Sequence, residues 1–196
     1  ERGTTGFRVG CRPAWPADLD GTAPLLEDGT QDPEFASYPN PTPASATYCG
    51  VDFQTAELIM EGDGAGQFYA ADAVLNQVTV LDTRDNDPGW TVTGTMGDFQ
   101  AGTPGTDPSF SGDQLGWEPL ADDTDPIPGS DYDQAVTAGP IVDPNTPGGL
   151  GDGATLASAE PGAGRGIAKL DARLKLLIPV SVFSGNYTGT LTIPAS

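Results

Sequence analysis

Residues 167–179, IAKLDARLKLLIP, alternate apolar and charged side chains with a strict period of two. Ala168, Leu170, Ala172, Leu174, Leu176 and Ile178 fall on one face, and Lys169, Asp171, Arg173 and Lys175 on the other. An amphipathic helix would repeat near 3.6 residues instead, so this segment is a half-buried strand. WTVTGTM (90–96) repeats the pattern, with Trp90, Val92, Gly94 and Met96 inward and three threonines outward. So does NYTGTLTIP (186–194), with Tyr187, Leu191 and Ile193 inward. The chain has 27 glycines and 19 prolines among 196 residues. Gly costs backbone entropy in a helix and Pro lacks the amide donor, so long helices are disfavoured and short strands with many turns are favoured. The expected fold class is all-β: a two-sheet antiparallel β-sandwich, Ig-like or jelly-roll-like, with long turn-rich loops.

The other segments are less regular. Phe7 to Cys11 has the makings of a short strand. Residues 12–47 are rich in Pro, Asp and Gly and read as a long loop or irregular cap. YCGVDFQTAELIM (48–60) alternates and then ends in a short apolar run, and EGDGAGQ (61–67) is a turn. AVLNQVTVLDTR (73–84) puts Val74, Val78 and Val80 on one face, with Asn76 interrupting. DNDPG (85–89) is turn chemistry, so 73–96 is expected to be a hairpin. SVFSGN (181–186) is read as the turn of a second hairpin over 167–193, and the sequon Asn186-Tyr187-Thr188 as part of that turn. Residues 100–152 read as long connections with two short strands. The organisation expected is 1–60 as an N-terminal strand and disulfide-cinched loop region packed on or extending the sandwich, and 61–196 as the sandwich.

Composition narrows the function. There are 28 acids against 8 bases, a formal charge of −20. Such a surface repels nucleic-acid phosphates and anionic lipid. No apolar run approaches the roughly 20 residues that span a bilayer, so no membrane insertion is expected. With no histidine, Ser–His–Asp and Cys–His nucleophile pairs are impossible. GDGAG (62–66) lacks the lysine and helix of a phosphate-binding loop. Two of the many carboxylates would suffice for glycoside hydrolysis, but no pair stands out. The expectation is a protein without catalytic residues and without a required cofactor. Cys11 and Cys49, the two cysteines, are expected to form a disulfide. Closing that loop would contribute roughly 3–4 kcal/mol and implies an oxidising compartment. The first residue is Glu1, which fits removal of a signal peptide upstream. Two acidic clusters offer hard oxygen ligands suited to calcium: Asp82, Asp85 and Asp87 with Asn86, and Asp122, Asp123 and Asp125 with Asp131 and Asp133. Solvated, turn-forming acids are the plainer reading of both, and neither has EF-hand spacing. Asp82 and Arg84 suit a surface ion pair of little energy. Trp90 reads as a core residue, with a surface tryptophan for glycan stacking as the functional alternative, and Trp15 and Trp117, in turn-rich segments, are weaker candidates to contribute to such a platform.

One ordered set of motifs resembles a known family. Asp82-Thr-Arg84 is followed by Gly89-Trp90-Thr-Val92 and then Asp98-Phe99. After a long variable stretch come Leu176, Ile178 and Pro179, then Tyr187, Leu191 and Thr192. This order is similar to the WxL surface domain of Gram-positive bacteria and its actinobacterial relatives, over about residues 68–194. The resemblance implies a secreted β-rich domain held non-covalently on the cell wall, generally on peptidoglycan. Here the first Trp-x-Leu is Trp90-Thr-Val92. The terminal one is replaced by Thr192-Ile193-Pro194.

The leading expectation is therefore an extracellular cell-surface protein whose partner is cell-wall polymer or another surface protein. Two others stand beside it. One is a structural subunit of an extracellular filament or sheath, self-assembled by donating the strand Thr4, Thr5, Gly6, Phe7, Arg8, Val9 to a neighbour's sheet edge. The other is a calcium-dependent adhesion module.

Overall fold

The computed structural model describes residues 7–11, 50–62, 64–75, 77–84, 86–102, 107–125, 135–145 and 148–196. These residues hold no α-helix. In chain order their strands are β1 (Phe7–Cys11), β2 (Glu57–Leu58), β3 (Phe68–Val74), β4 (Val78–Asp82), β5 (Trp90–Met96) and β6 (Phe99–Gln100). Then come β7 (Ser109–Phe110), β8 (Leu115–Asp125), β9 (Val136–Ala138), β10 (Ala154–Ala159), β11 (Gly166–Pro179) and β12 (Leu191–Thr192). The pairings are antiparallel throughout.

β11 is the axis of the first sheet. On one side it pairs with β8. On the other its first half pairs with β4 and its second half with β3. The register moves by one between Leu170↔Val78 and Arg173↔Val74. β3 and β4 therefore form one long strand with a bulge between them, where the Leu75 amide donates to the Ala172 carbonyl. β1 and β2 follow one another along the far edge, on β4 and β3 respectively. The second sheet has the order β12-β5-β10-β9. Its edge is longer than β12 itself. Bonds at Gln100–Thr188, Thr93–Pro194 and Thr91–Ser196 zip residues 188–196 along β5 and β6. The small β6–β7 ribbon stacks Phe99 on Phe110 at 4.6 Å, with Tyr187 tilted against Phe110 at 5.2 Å.

The two main sheets share one core. Val78, Val80, Leu170, Leu174 and Leu176 come from the first, and Trp90, Val92, Met96, Leu156 and Ala157 from the second. The period-two reading of 167–179 holds: Ala168 to Leu176 on the apolar face are buried, and Lys175 and Arg173 are exposed. Trp90 is buried at 3% exposure. The strand at Phe7 to Cys11 is also present.

Four expectations are corrected. Residues 73–96 are not a hairpin, because β4 and β5 lie in different sheets. The seven-residue span between them crosses from sheet to sheet, so the inward faces of both strands meet across the core. Residues 167–193 are not a hairpin either: β11 belongs to the first sheet and β12 to the second. The stretch 100–152 contains an eleven-residue strand, β8, paired along most of β11. Trp117 on that strand is 2% exposed, so it is core and not a glycan platform. Trp15, residues 12–47 and the donated-strand residues Thr4, Thr5 and Gly6 lie outside the described residues, as do Asp131 and Asp133. So does the Cys11–Cys49 pairing; of the two, only the Cys11 backbone is described, opposite Val78.

Candidate functional site

The most distinctive motif, Asp82 to Trp90, folds into a closed corner. Asp82 ends β4 and is fully buried. The Arg84 backbone amide and Nε each donate to its Oδ1 at 2.9 Å, and Nη2 donates to Oδ2 at 2.7 Å. Nη2 also donates to the Gly89 carbonyl at 2.8 Å. This bidentate fork satisfies both carboxylate oxygens. The hydrogen bond to Asp82 is the main reason the Arg84 guanidinium titrates above its ordinary range. A raised arginine contributes fully below its ordinary value and is lost only above it, so Arg84 stays charged across the neutral range. The expected surface pair is thus a pair with one fully buried member.

Downstream, the corner grips the turn that leads into β11. The Gly164 amide donates to Asp87 Oδ1 at 3.1 Å, the Gly162 amide to the Asp87 carbonyl at 2.9 Å, and Trp90 Nε1 to the Gly164 carbonyl at 2.9 Å. Gly89 has φ 75°, and a β-carbon there would lie 2.5 Å from the Ala159 carbonyl oxygen. Glycine is required at 89 for both reasons. The partners of Asp87 and Trp90 sit more than seventy residues away. No local sequence signal pointed to them.

The other motif residues join this scaffold. β12 pairs with β5 through Leu191↔Met96 and Thr192↔Thr95, so the two ends of the motif set are neighbouring strands. Asp98 accepts from the Gly112 amide at 3.3 Å. Leu176 is core, Ile178 is half-buried, and Pro179 ends β11. Val92 is fully buried.

The calcium candidates fare differently from one another. Asp82 has both oxygens engaged by Arg84. Asp87 Oδ1 accepts from the Gly164 amide, and its buried Oδ2 has no hydrogen-bond partner. Asp85 lies outside the described residues. Asp122, Asp123 and Asp125 are in strand β8, not in the loop expected for them. Among the described residues, no group of three or more His, Cys, Asp or Glu is placed to hold a metal. With Asp82 already paired, adding EDTA is expected to leave the melting temperature unmoved. A fall of several degrees would restore calcium to the account.

A second feature was not anticipated. On the inward side of the first sheet, the row Leu58–Tyr69–Ile178 continues the apolar face past Ala71 and Leu176. Gln67 and Val180 extend it by one step, where the Val180 amide donates to the Gln67 carbonyl. Leu58, Tyr69 and Val180 are exposed, as are Met60 and Phe183 nearby in sequence. This ledge is uncharged in a chain of net charge −20. Its sequence signal was the parity of Leu58 and Tyr69, hidden because β2 is only two residues long.

No family model matches the chain, no curated protein matches it, and no solved structure matches its fold. Among the described residues, no helix is long and apolar enough to cross a membrane.

Proposed function

We propose that this chain is a non-enzymatic, secreted cell-surface protein, a WxL-like β-sandwich that binds cell-wall polymer or another surface protein through the ledge at Leu58, Tyr69 and Val180. The observation that carries the reading is that ledge: an apolar sheet face that, among the described residues, stands exposed at Leu58, Tyr69 and Val180. Exposed apolar faces of this kind mark interaction sites. Its lack of charge fits a neutral glycan better than an anionic polymer, which the surrounding acids repel. Tyr69 offers a ring face for a sugar and a hydroxyl for its polar edge. The Asp82–Trp90 corner serves as scaffold, since its hydrogen-bonding groups are mostly turned inward.

The test is co-sedimentation with purified cell walls. The wild-type chain is expected in the pellet. Tyr69→Ser should weaken retention about tenfold, the loss expected of one aromatic contact worth about 1.4 kcal/mol. Arg173→Ala, on the outer face of β11, should leave retention unchanged. A wild-type chain that stays in the supernatant would reject the wall-binding reading.

A further inference from the structure

We propose that Asn186 is a glycan acceptor, a site where an oligosaccharide is joined to the side-chain amide through an N-glycosidic bond. Of the five asparagines, Asn186 alone is followed by a residue other than proline and then by a threonine, Tyr187 and Thr188. Asn40 comes nearest, but Pro41 stands between it and Thr42. In the acceptor pattern the transferase reads the hydroxyl two residues after the amide that it modifies. Three residues recur often by chance; what singles these out is their place in the fold.

The hairpin turn expected to contain this sequon is absent, because β11 and β12 belong to different sheets. The tight turn after β11 closes at Val182, whose amide donates to the Pro179 carbonyl at 3.0 Å. Asn186 lies four residues further on, in the span that crosses to the second sheet. The Tyr187 hydroxyl donates to the Phe183 carbonyl at 2.8 Å, which closes a small loop around Asn186. The Tyr187 ring tilts against Phe110 and packs on the core. Thr188 exchanges backbone hydrogen bonds with Gln100 at 2.8 and 2.9 Å. With Tyr187 turned inward, alternation sends its two neighbours to the other side, and Asn186 and Thr188 are both exposed. The amide and the hydroxyl of the pattern thus share the outer face, while the middle residue serves the core. A glycan is bulky and hydrated, so its amide must lie outside the finished fold, whether the sugar is added before folding or after. Asn186 meets that condition.

The donor class is a polyprenyl-diphosphate-linked sugar. Asn186 Nδ2 attacks the anomeric carbon and an N–C bond forms. The bond from that carbon to the diphosphate oxygen breaks, and its electron pair leaves with the polyprenyl diphosphate. One amide proton passes to a base of the transferase, and nothing is oxidised or reduced. The inference rests on the export part of the proposed function and not on wall binding.

The experiment uses the full chain, purified from its native cells and from their culture fluid. Lys175 is the last basic residue, so trypsin releases residues 176–196 as one peptide. Mass spectrometry is expected to find that peptide carrying a sugar chain attached at Asn186. Asn186→Gln and Thr188→Ala, each expressed in the same cells, should lose the whole mass increment, and Thr188→Ser should retain it. The readout is the mass of a peptide, so it holds for a variant that folds poorly. A sugar that persists in Asn186→Gln sits on a hydroxyl instead and overturns the proposal, as does one that persists in Thr188→Ala. A chain recovered outside the cell with a bare Asn186 overturns this inference and leaves export standing. A chain recovered only inside the cell, bare at Asn186, overturns both.

Discussion

Arg84→Met is expected to destabilise the sandwich by about 3 kcal/mol, because it strands a fully buried carboxylate. Both oxygens of Asp82 take hydrogen bonds from Arg84, and the pair also ties down the Gly89 carbonyl. The converse change should be milder. Asp82→Asn leaves an arginine whose side chain is 27% exposed and can turn toward water. The expected ordering is therefore Arg84→Met worse than Asp82→Asn by about 1–2 kcal/mol, the cost of one buried group left without its partner. Thermal melts read this directly. For a chain of this size, 3 kcal/mol corresponds to a fall of roughly 6–12 °C. The double variant Asp82→Asn/Arg84→Met should recover part of the loss, since neither charge then remains buried alone. Equal effects of the two single changes would mean that the pair behaves as a surface ion pair after all.

This pair also marks the boundary of what the sequence made legible. Its two residues are two apart in the chain, so the pairing was readable, but its burial was not. Asp82 stands between Gly166 of β11 and Phe7 of β1, and nothing local to residues 82–90 encodes those pairings. The same contrast runs through the fold. β5 and β11 were legible because one face of each is core and the other is not, which writes a period of two into the residues. The outward bases of β11 were legible for the same reason, and Arg173 meets Glu118 of β8 at 3.0 Å. β8 itself was not legible. Leu115, Gly116, Trp117 and Pro119 are all buried, so no alternation marks its start. Pro119 argues against a strand, yet it is accommodated opposite Ala172. Both hairpins were misread for one reason. A turn between two alternating strands looks alike whether the chain folds back within a sheet or arches over to the opposing one. The apolar parity of the strands is the same in both cases, and only the pairing partners differ.

Trp117→Ala is expected to cost about 3–5 kcal/mol, the range for removing a large buried aromatic side chain. Trp117 belongs to the first sheet, but the far end of its ring lies against Gly94 of the second. A β-carbon at Gly94 would stand 2.6 Å from Trp117 Cη2. The indole therefore fills the space that a side chain at 94 would need, and the two residues set the separation of the sheets together. Gly94→Ala should destabilise by about 1–3 kcal/mol through overpacking. Trp117→Phe removes the outer part of the indole and sacrifices no hydrogen bond, because Nε1 has no partner. Trp90→Phe is different: it deprives the Gly164 carbonyl of its donor, which adds about 1 kcal/mol to the packing loss. Combining Gly94→Ala with Trp117→Phe should then cost less than the two changes summed, with a coupling of about 1 kcal/mol, since the methyl enters the space the ring has left. Denaturant titrations of the five variants measure each term. Strict additivity of Gly94→Ala and Trp117→Phe would mean that the sheets are spaced by other contacts, and that Gly94 answers to the backbone alone.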